Sequence, residues 1–299
     1  MTQPSASAAT LRARAEAISA GMPALLAEAE HLARTVMLGD HGRRRSGQGD
    51  EFWQFRPAVP GDSGRAIDWR RSARGDQAFV REREWQAAQS VVLWLDSAAA
   101  MRFTGAPDRP EKGARARLLG LALACVLLRG GERVGLADGL VPPRAGRAQI
   151  DRLALALAAQ GEEAAGSDYG TPPDGGLPAH GVAVFVSDFL GPLAPTEHAV
   201  AAAADAGLRG TLLQILDPAE EAFPFDGRTV FESMTGTLRH ETLKARDLRE
   251  RYRQRLDERR GQIAELCARC GWTFGVHHTG ETPLSALLWL YRSLEMRRG

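Results

Sequence analysis

From Val91 onward, short unbroken apolar runs alternate with longer stretches of helical pattern. The runs "VVLWLD", "RVGLADG", "GVAVFVSDFL", "GTLLQILDP" and "WTFGVHHT" predict strands, and a strand covered on both faces reads as a continuous apolar run. Between them, "RPEKGARARLLGLALACVLLRGG", "AQIDRLALALAAQ", "APTEHAVAAAADAG" and "LKARDLRERYRQRLDERRGQIAELCARCG" predict helices, and a last helix starts at Pro283. For the first of these, Asp108 is the expected cap, Pro110 lies near the first turn and Gly130 ends the helix. Strand and helix in alternation predict an α/β fold, a doubly wound and mainly parallel sheet of Rossmann-like type. In such sheets ligands bind beyond the carboxyl ends of the strands. Asp96, Asp188 and Asp217 all fall at such ends.

The chain before Val91 is patterned differently. Leu11 to Leu38 predicts one or two helices, interrupted near Gly21 and Pro23, and Gly39 to Asp50 is a polar, glycine-broken loop. "EFWQFRPAV" predicts a strand followed by the turn "PGDS", "AIDWRRSAR" a short helical piece, and "QAFVREREW" a second strand. The expected organisation is an N-terminal helical segment (1–38), an arginine-rich extension with a β-hairpin (39–90) and the α/β domain (91–299).

Composition narrows the function classes. In 299 residues, 38 lysines and arginines nearly cancel 37 aspartates and glutamates. A net charge of +1 argues against a broadly basic nucleic-acid or membrane binder. Lys112 and Lys244 are the only lysines, a bias that, with the many alanines, reads as coding from a GC-rich bacterial genome. The longest apolar stretch, Leu118 to Leu128, is about half of the roughly 20 residues a bilayer requires. No secretory signal pattern opens the chain, and three cysteines do not make a disulfide framework. A cytoplasmic protein without a membrane span is expected.

Candidate chemistry is sparse. Magnesium on this kind of fold is held by Asp-x-Ser-x-Ser after the first strand, together with a threonine and a second aspartate from later loops. Asp96 and Asp188 match the two acids and Ser97 lies beside the first, while Thr171 or Ser167 could supply the hydroxyl. The two serine positions, however, are Ala98 and Ala100. The plainer reading, in which Asp96 and Asp188 hydrogen-bond backbone or water at the sheet edge, is favoured. No cofactor is expected, and magnesium would be bound weakly at most. Cys267, Cys270, His277 and His278 are residue types that zinc uses. Adjacent histidines on a strand nevertheless point to opposite faces, so the pair suits one ion poorly. Nucleophile elbows and phosphate loops are absent from the sequence, which lowers the expectation of an enzyme.

The densest signal is Phe52 to Glu84, where arginines and acids interleave with Trp53, Phe55, Trp69 and Phe79. Arginine bridges carboxylates and stacks on aromatic rings, so this stretch is either a structural brace or a partner-docking surface rich in Arg and Trp. Its acids oppose nucleic-acid binding.

The same stretch, through Met101, resembles the signature of the domain of unknown function 58 family. The matches fall at Gly47, Gly49, Glu51, Phe52, Arg56, Gly61, Asp62, Arg65, Ile67, Asp68, Trp69, Ser72, Ala73, Arg74, Val80, Arg81, Glu82 and Asp96. The resemblance covers Gly39 to Ala206 well and the remainder loosely. It implies a von Willebrand factor A-like domain with a metal-ion-dependent adhesion site, here degenerate because alanines replace both serines. It also implies an adaptor beside a MoxR-type AAA+ ATPase, acting in assembly or maturation of protein complexes, in a family for which no enzymatic activity is established. The signature residues Arg56, Gly61, Asp62, Arg65, Asp68, Trp69, Arg74, Arg81 and Glu82 would bind the partner or brace the fold. The alternative is a metal-dependent hydrolase using Asp96 and Asp188.

Overall fold

A computed structural model describes residues 23–37, 52–59, 67–73, 75, 77–83, 88–162, 166–237 and 239–295. The chain divides into two compact units, one of residues 40–88 and one of residues 1–39 with 89–299.

In the larger unit, five strands form one parallel sheet: β3 (Ser90–Leu95), β4 (Arg133–Leu136), β5 (Val182–Ser187), β6 (Arg209–Leu216) and β9 (Thr273–His278). Their order is β4-β3-β5-β6-β9, with every pairing parallel. The first strand thus lies between the second and the third, and the topology reverses at the β3/β5 junction. Apolar residues on both faces of the strands explain their unbroken runs. Val91, Leu93 and Leu95 pack with α1 (residues 23–37), α3 (Lys112–Arg129), α4 (Ala148–Glu162) and α8 (Pro283–Glu295). Val92, Ala183, Phe185 and Leu212 pack on the other face with α5 (Leu193–Asp205) and α7 (Arg249–Arg269). This is a Rossmann-like α/β arrangement with helices on both faces. No helix among the described residues is long and apolar enough to cross a membrane.

The start of α3 corrects the expected cap. Its N-cap is Glu111, which makes no side-chain capping bond, and Asp108 lies outside the helix. Helical winding begins at Lys112, whose side chain is committed to the sheet top. Gly130 caps the other end as expected. Two elements between β6 and α7 had no sequence expectation: a short helix, α6 (Pro218–Ala222), and an antiparallel hairpin, β7 (Thr229–Glu232) with β8 (Arg239–Thr242).

In the smaller unit, β1 (Phe52–Pro57) pairs antiparallel with β2 (Phe79–Arg83), with an irregularity between Phe52 and Gln54. A four-residue helix, α2 (Trp69–Ser72), is clipped to β2. Asp68 N donates to the Phe79 carbonyl at 2.9 Å, and Phe79 N donates to Ser72 Oγ at 2.9 Å. The Arg71 guanidinium stacks over the Phe79 ring at 5.3 Å.

Glycine at position 210 in β6 is required by close approach, because any side chain there would collide with the buried Trp272 ring. Gly210→Val is expected to lower unfolding free energy by about 1–3 kcal/mol through overpacking, read as a reduced urea midpoint.

Candidate functional site

Parallel register brings polar residues to one rim. Leu95 pairs with Val186 and Leu216 with His278, so the residues that follow these strands emerge at the same end of the sheet. Asp96, Ser187, Asp188, Asp217, His277 and Thr279 are all buried there. Buried polar groups persist only when they are hydrogen-bonded, and each of these is.

Asp96 is held by its neighbours in the chain and across the sheet. Its Oδ1 accepts from Ala98 N at 2.8 Å and its Oδ2 from the Ser187 hydroxyl at 2.6 Å. Gly170 packs so closely on this carboxylate that a side chain at that position would overlap it. Burial pushes the Asp96 carboxyl above the ordinary carboxylate range, and the Asp188 charge adds to this against the lowering effect of the Ser187 and Ala98 bonds.

Asp188 faces a cation. Its Oδ2 accepts from Lys112 Nζ at 2.8 Å, and its Oδ1 from Leu190 N at 3.0 Å. The same ammonium donates to Glu220 Oε1 at 2.6 Å. Lys112 is 1% exposed, with the Phe103 ring 5.6 Å away. Burial pulls the Lys112 pKa down, but Asp188 and Glu220 outweigh it and hold the group above its ordinary value. Glu220 is fixed in turn by a capping box in which its Oε2 accepts from Asp217 N. Burial raises the Glu220 carboxyl against the opposing pull of Lys112.

A second network adjoins this one. Asp217 accepts from both Arg109 Nε and Nη2 at 3.1 Å and from Thr279 Oγ1 at 3.0 Å. Against the raising effect of burial, the bonds from Ala219, Gly105, Thr279 and Arg109 bring its pKa below the usual value. Arg115 donates to His277 Nε2 at 2.7 Å and to the carbonyls of Glu281 and Thr279. Burial, then the Arg115 charge, lowers the His277 pKa to about 4. His277 is therefore a neutral acceptor at pH 7, and its 3.4 Å contact with Glu281 is a hydrogen bond without an ion pair.

The hairpin tip closes over this rim. Thr235 N and Oγ1 and Thr237 Oγ1 donate to the Asp168 carboxylate at 2.9, 2.8 and 2.7 Å. These bonds, that from Thr237 foremost, lower the Asp168 pKa to about 2. Glu232, Ser233 and Met234 of the hairpin share a cleft of about 140 Å³ with Lys112, Asp188 and Glu220. Phe223, Phe225, Phe231 and Tyr252 cluster at the hairpin base.

The family model described as "Protein of unknown function DUF58" matches residues 54–262. The chain belongs to the DUF58 family. It is 28% identical over 247 residues to uncharacterised proteins of Mycobacterium tuberculosis and Mycobacterium bovis, covering 79% of this chain and 77% of each relative. A crystal structure of the conserved hypothetical protein BatB from Bacteroides thetaiotaomicron superposes with a TM-score of 0.41 at 15% identity. That likeness covers 70% of this chain and 100% of the other.

In this DUF58 member, Asp96 and Asp188 share the rim, while Ser97 and Thr171 are exposed beside it. The Ser167 hydroxyl donates to the Tyr169 carbonyl. The donor set does not fit a divalent ion, which takes about six oxygens. Both Asp96 oxygens are occupied by protein donors, Asp188 and Glu220 grip an ammonium, and positions 98 and 100 present methyl groups. His277 bonds to Arg115 and His278 to Glu221, while the Glu281 carboxylate lies within reach of both rings. Cys267 is buried in α7 and Cys270 caps it, and among the described residues no group of three or more His, Cys, Asp or Glu is arranged to hold a metal.

Of the signature residues, Asp68 caps α2 by accepting from Arg71 N at 3.0 Å, and Trp69 is 66% exposed. Arg56, Arg81 and Glu82 lie in the β1–β2 ladder, where Arg56 pairs with Val80, Arg81 with Phe55 and Glu82 with Gln54. Gly61, Asp62, Arg65 and Arg74 lie outside the described residues.

Sequence reading missed Lys112, Glu220, Arg109 and Arg115 as rim residues. One signal was present: Lys112 is one of only two lysines in an arginine-dominated chain. A compact ammonium suits an ion-sized hole that a planar guanidinium does not.

The unfolded chain protonates His277 near pH 6.5, the folded chain only near pH 4. Across that window the folded state binds fewer protons, so stability falls as pH drops from 6.5 to 4. His277→Gln is expected to remove about 3 kcal/mol of this acid sensitivity, measured as the difference between pH-stability profiles from chemical denaturation.

Proposed function

We propose that this DUF58 member is a protein-interaction module of von Willebrand factor A type, working as an adaptor beside a MoxR-type AAA+ ATPase in assembly or maturation of protein complexes. One observation carries the reading: the acids at the strand ends are committed to internal partners, Asp96 to Ser187 and Asp188 to Lys112. Carboxylates tied up in this way brace a surface, whereas a hydrolase would need them free for substrate or water. The strand order, with two acids flanking its reversal point, supports the fold assignment. So does the antiparallel bridge between Val134 and Arg144 beyond β4. The ATPase as partner comes from the family resemblance.

Trp69 is the strongest candidate contact. A tryptophan left mostly in solvent on a helix that buries no residue has the character of an interface anchor. Asp68 and Ser72 of the same signature hold that helix in place, so the signature combines a brace with a presented ring.

Pull-down of the MoxR-type ATPase, with and without nucleotide, tests the assignment. Wild-type protein is expected to capture it, and Trp69→Ala to weaken capture at least about tenfold, as loss of a hot spot would, with melting unchanged. Asp68→Ala is expected to cost about 1 kcal/mol of stability through the lost cap. Absence of association in every nucleotide state would refute the partnership, and full binding by Trp69→Ala would refute the contact.

A further inference from the structure

We propose that the Lys112 ammonium stands permanently where a divalent cation would be needed to join the strand ends, so that the sheet top of this protein is complete without metal. Three features carry the inference. First, the cation is built in: Nζ is buried and lies 2.8 Å and 2.6 Å from carboxylates on separate elements, the end of β5 and helix α6. Second, both carboxylates are aimed by the backbone. Leu190 N holds Asp188, and the Asp217 capping box holds Glu220. Third, the residues that would complete an ion's shell are spent elsewhere. Asp96 is turned to Ser187 and Ala98, and positions 98 and 100 carry no hydroxyl.

A lysine side chain delivers one positive charge with three donors to a fixed point, and does so at any metal concentration. A bound ion delivers two charges but leaves when chelated or diluted. The consequence is a surface that cannot be switched by metal availability. It also means that the carboxylate pair is a latent cation site, masked by a side chain that begins on α3. Deleting that side chain leaves two facing carboxylates and a hole the length of a lysine stem. Those are conditions under which a hard cation binds, with water filling the remaining positions.

The full chain and the variants Lys112→Ala, Lys112→Met and Asp188→Asn, all stripped with chelator, would be titrated with manganese(II) chloride. Bound ion would be counted by electron paramagnetic resonance and melting followed in parallel. Wild-type protein is expected to bind no manganese below about 1 mM, with melting unchanged. Lys112→Ala is expected to melt about 5–10 °C lower, to bind one ion, and to recover at least half of that loss when manganese is added. Lys112→Met, whose stem still fills the hole, is expected to be destabilised without rescue. Stoichiometric manganese binding by the wild-type chain that disappears in Asp188→Asn would overturn the proposal. So would a folded Lys112→Ala that binds none. Where Lys112→Ala does not fold with or without manganese, the wild-type and Asp188→Asn titrations decide.

Discussion

An ammonium group cannot remain charged in a protein interior unless anions are held against it. Lys112, fully buried at the first turn of α3, imposes that requirement on the sheet top. Asp188 must sit at the end of β5 and Glu220 on α6, because those two carboxylates are what the charge is bonded to. Glu220 can reach only because α6 winds immediately after β6, with Asp217 as its cap and Pro218 at its first position. One buried charge therefore ties together three elements that are distant in sequence. Removing either acid would leave the other to neutralise the cation alone.

Topology explains why acids gather beside the β3/β5 junction, with Asp96 after β3 and Asp188 after β5. When the strand order reverses, the connections on either side diverge and open a crevice above the carboxyl ends. Acids at the strand ends project into that crevice, so it has to be filled and its charge balanced. Here the filling is internal: Lys112 from one helix, Gly170 against Asp96 from a loop, and the β7–β8 hairpin tip pinned to Asp168. The smaller unit presents a different surface, in which Asp68 and Ser72 set the helix that exposes Trp69.

The strands and long helices of the α/β unit were legible because burial on two faces forces unbroken apolar runs, as in Val182–Ser187. Less of the site was legible. Asp96 and Asp188 were found by their position after such runs, yet their partners come from places where local pattern says little. Asp217 to Glu220 is a capping box readable in hindsight, but the five-residue helix it starts is too short to show periodicity. The hairpin strands are four residues each, β7 alternating only briefly and β8 mostly exposed, too little pattern to separate from a loop. Asp108 failed as a cap because helix α3 starts where Lys112 reaches the rim, a tertiary demand that local cap preference does not encode. Ser97 and Thr171 lie exposed beside the two buried acids.

The central claim is that Lys112 and Asp188 act as one electrostatic unit. A double-mutant cycle on unfolding free energy, using wild type, Lys112→Met, Asp188→Asn and both together, tests it most directly. Each single variant leaves a buried charge short of its partner, and the double variant removes both. The account predicts that the double variant loses less than the sum of the singles by about 2 kcal/mol or more. Losses that add to within about 0.5 kcal/mol would contradict it.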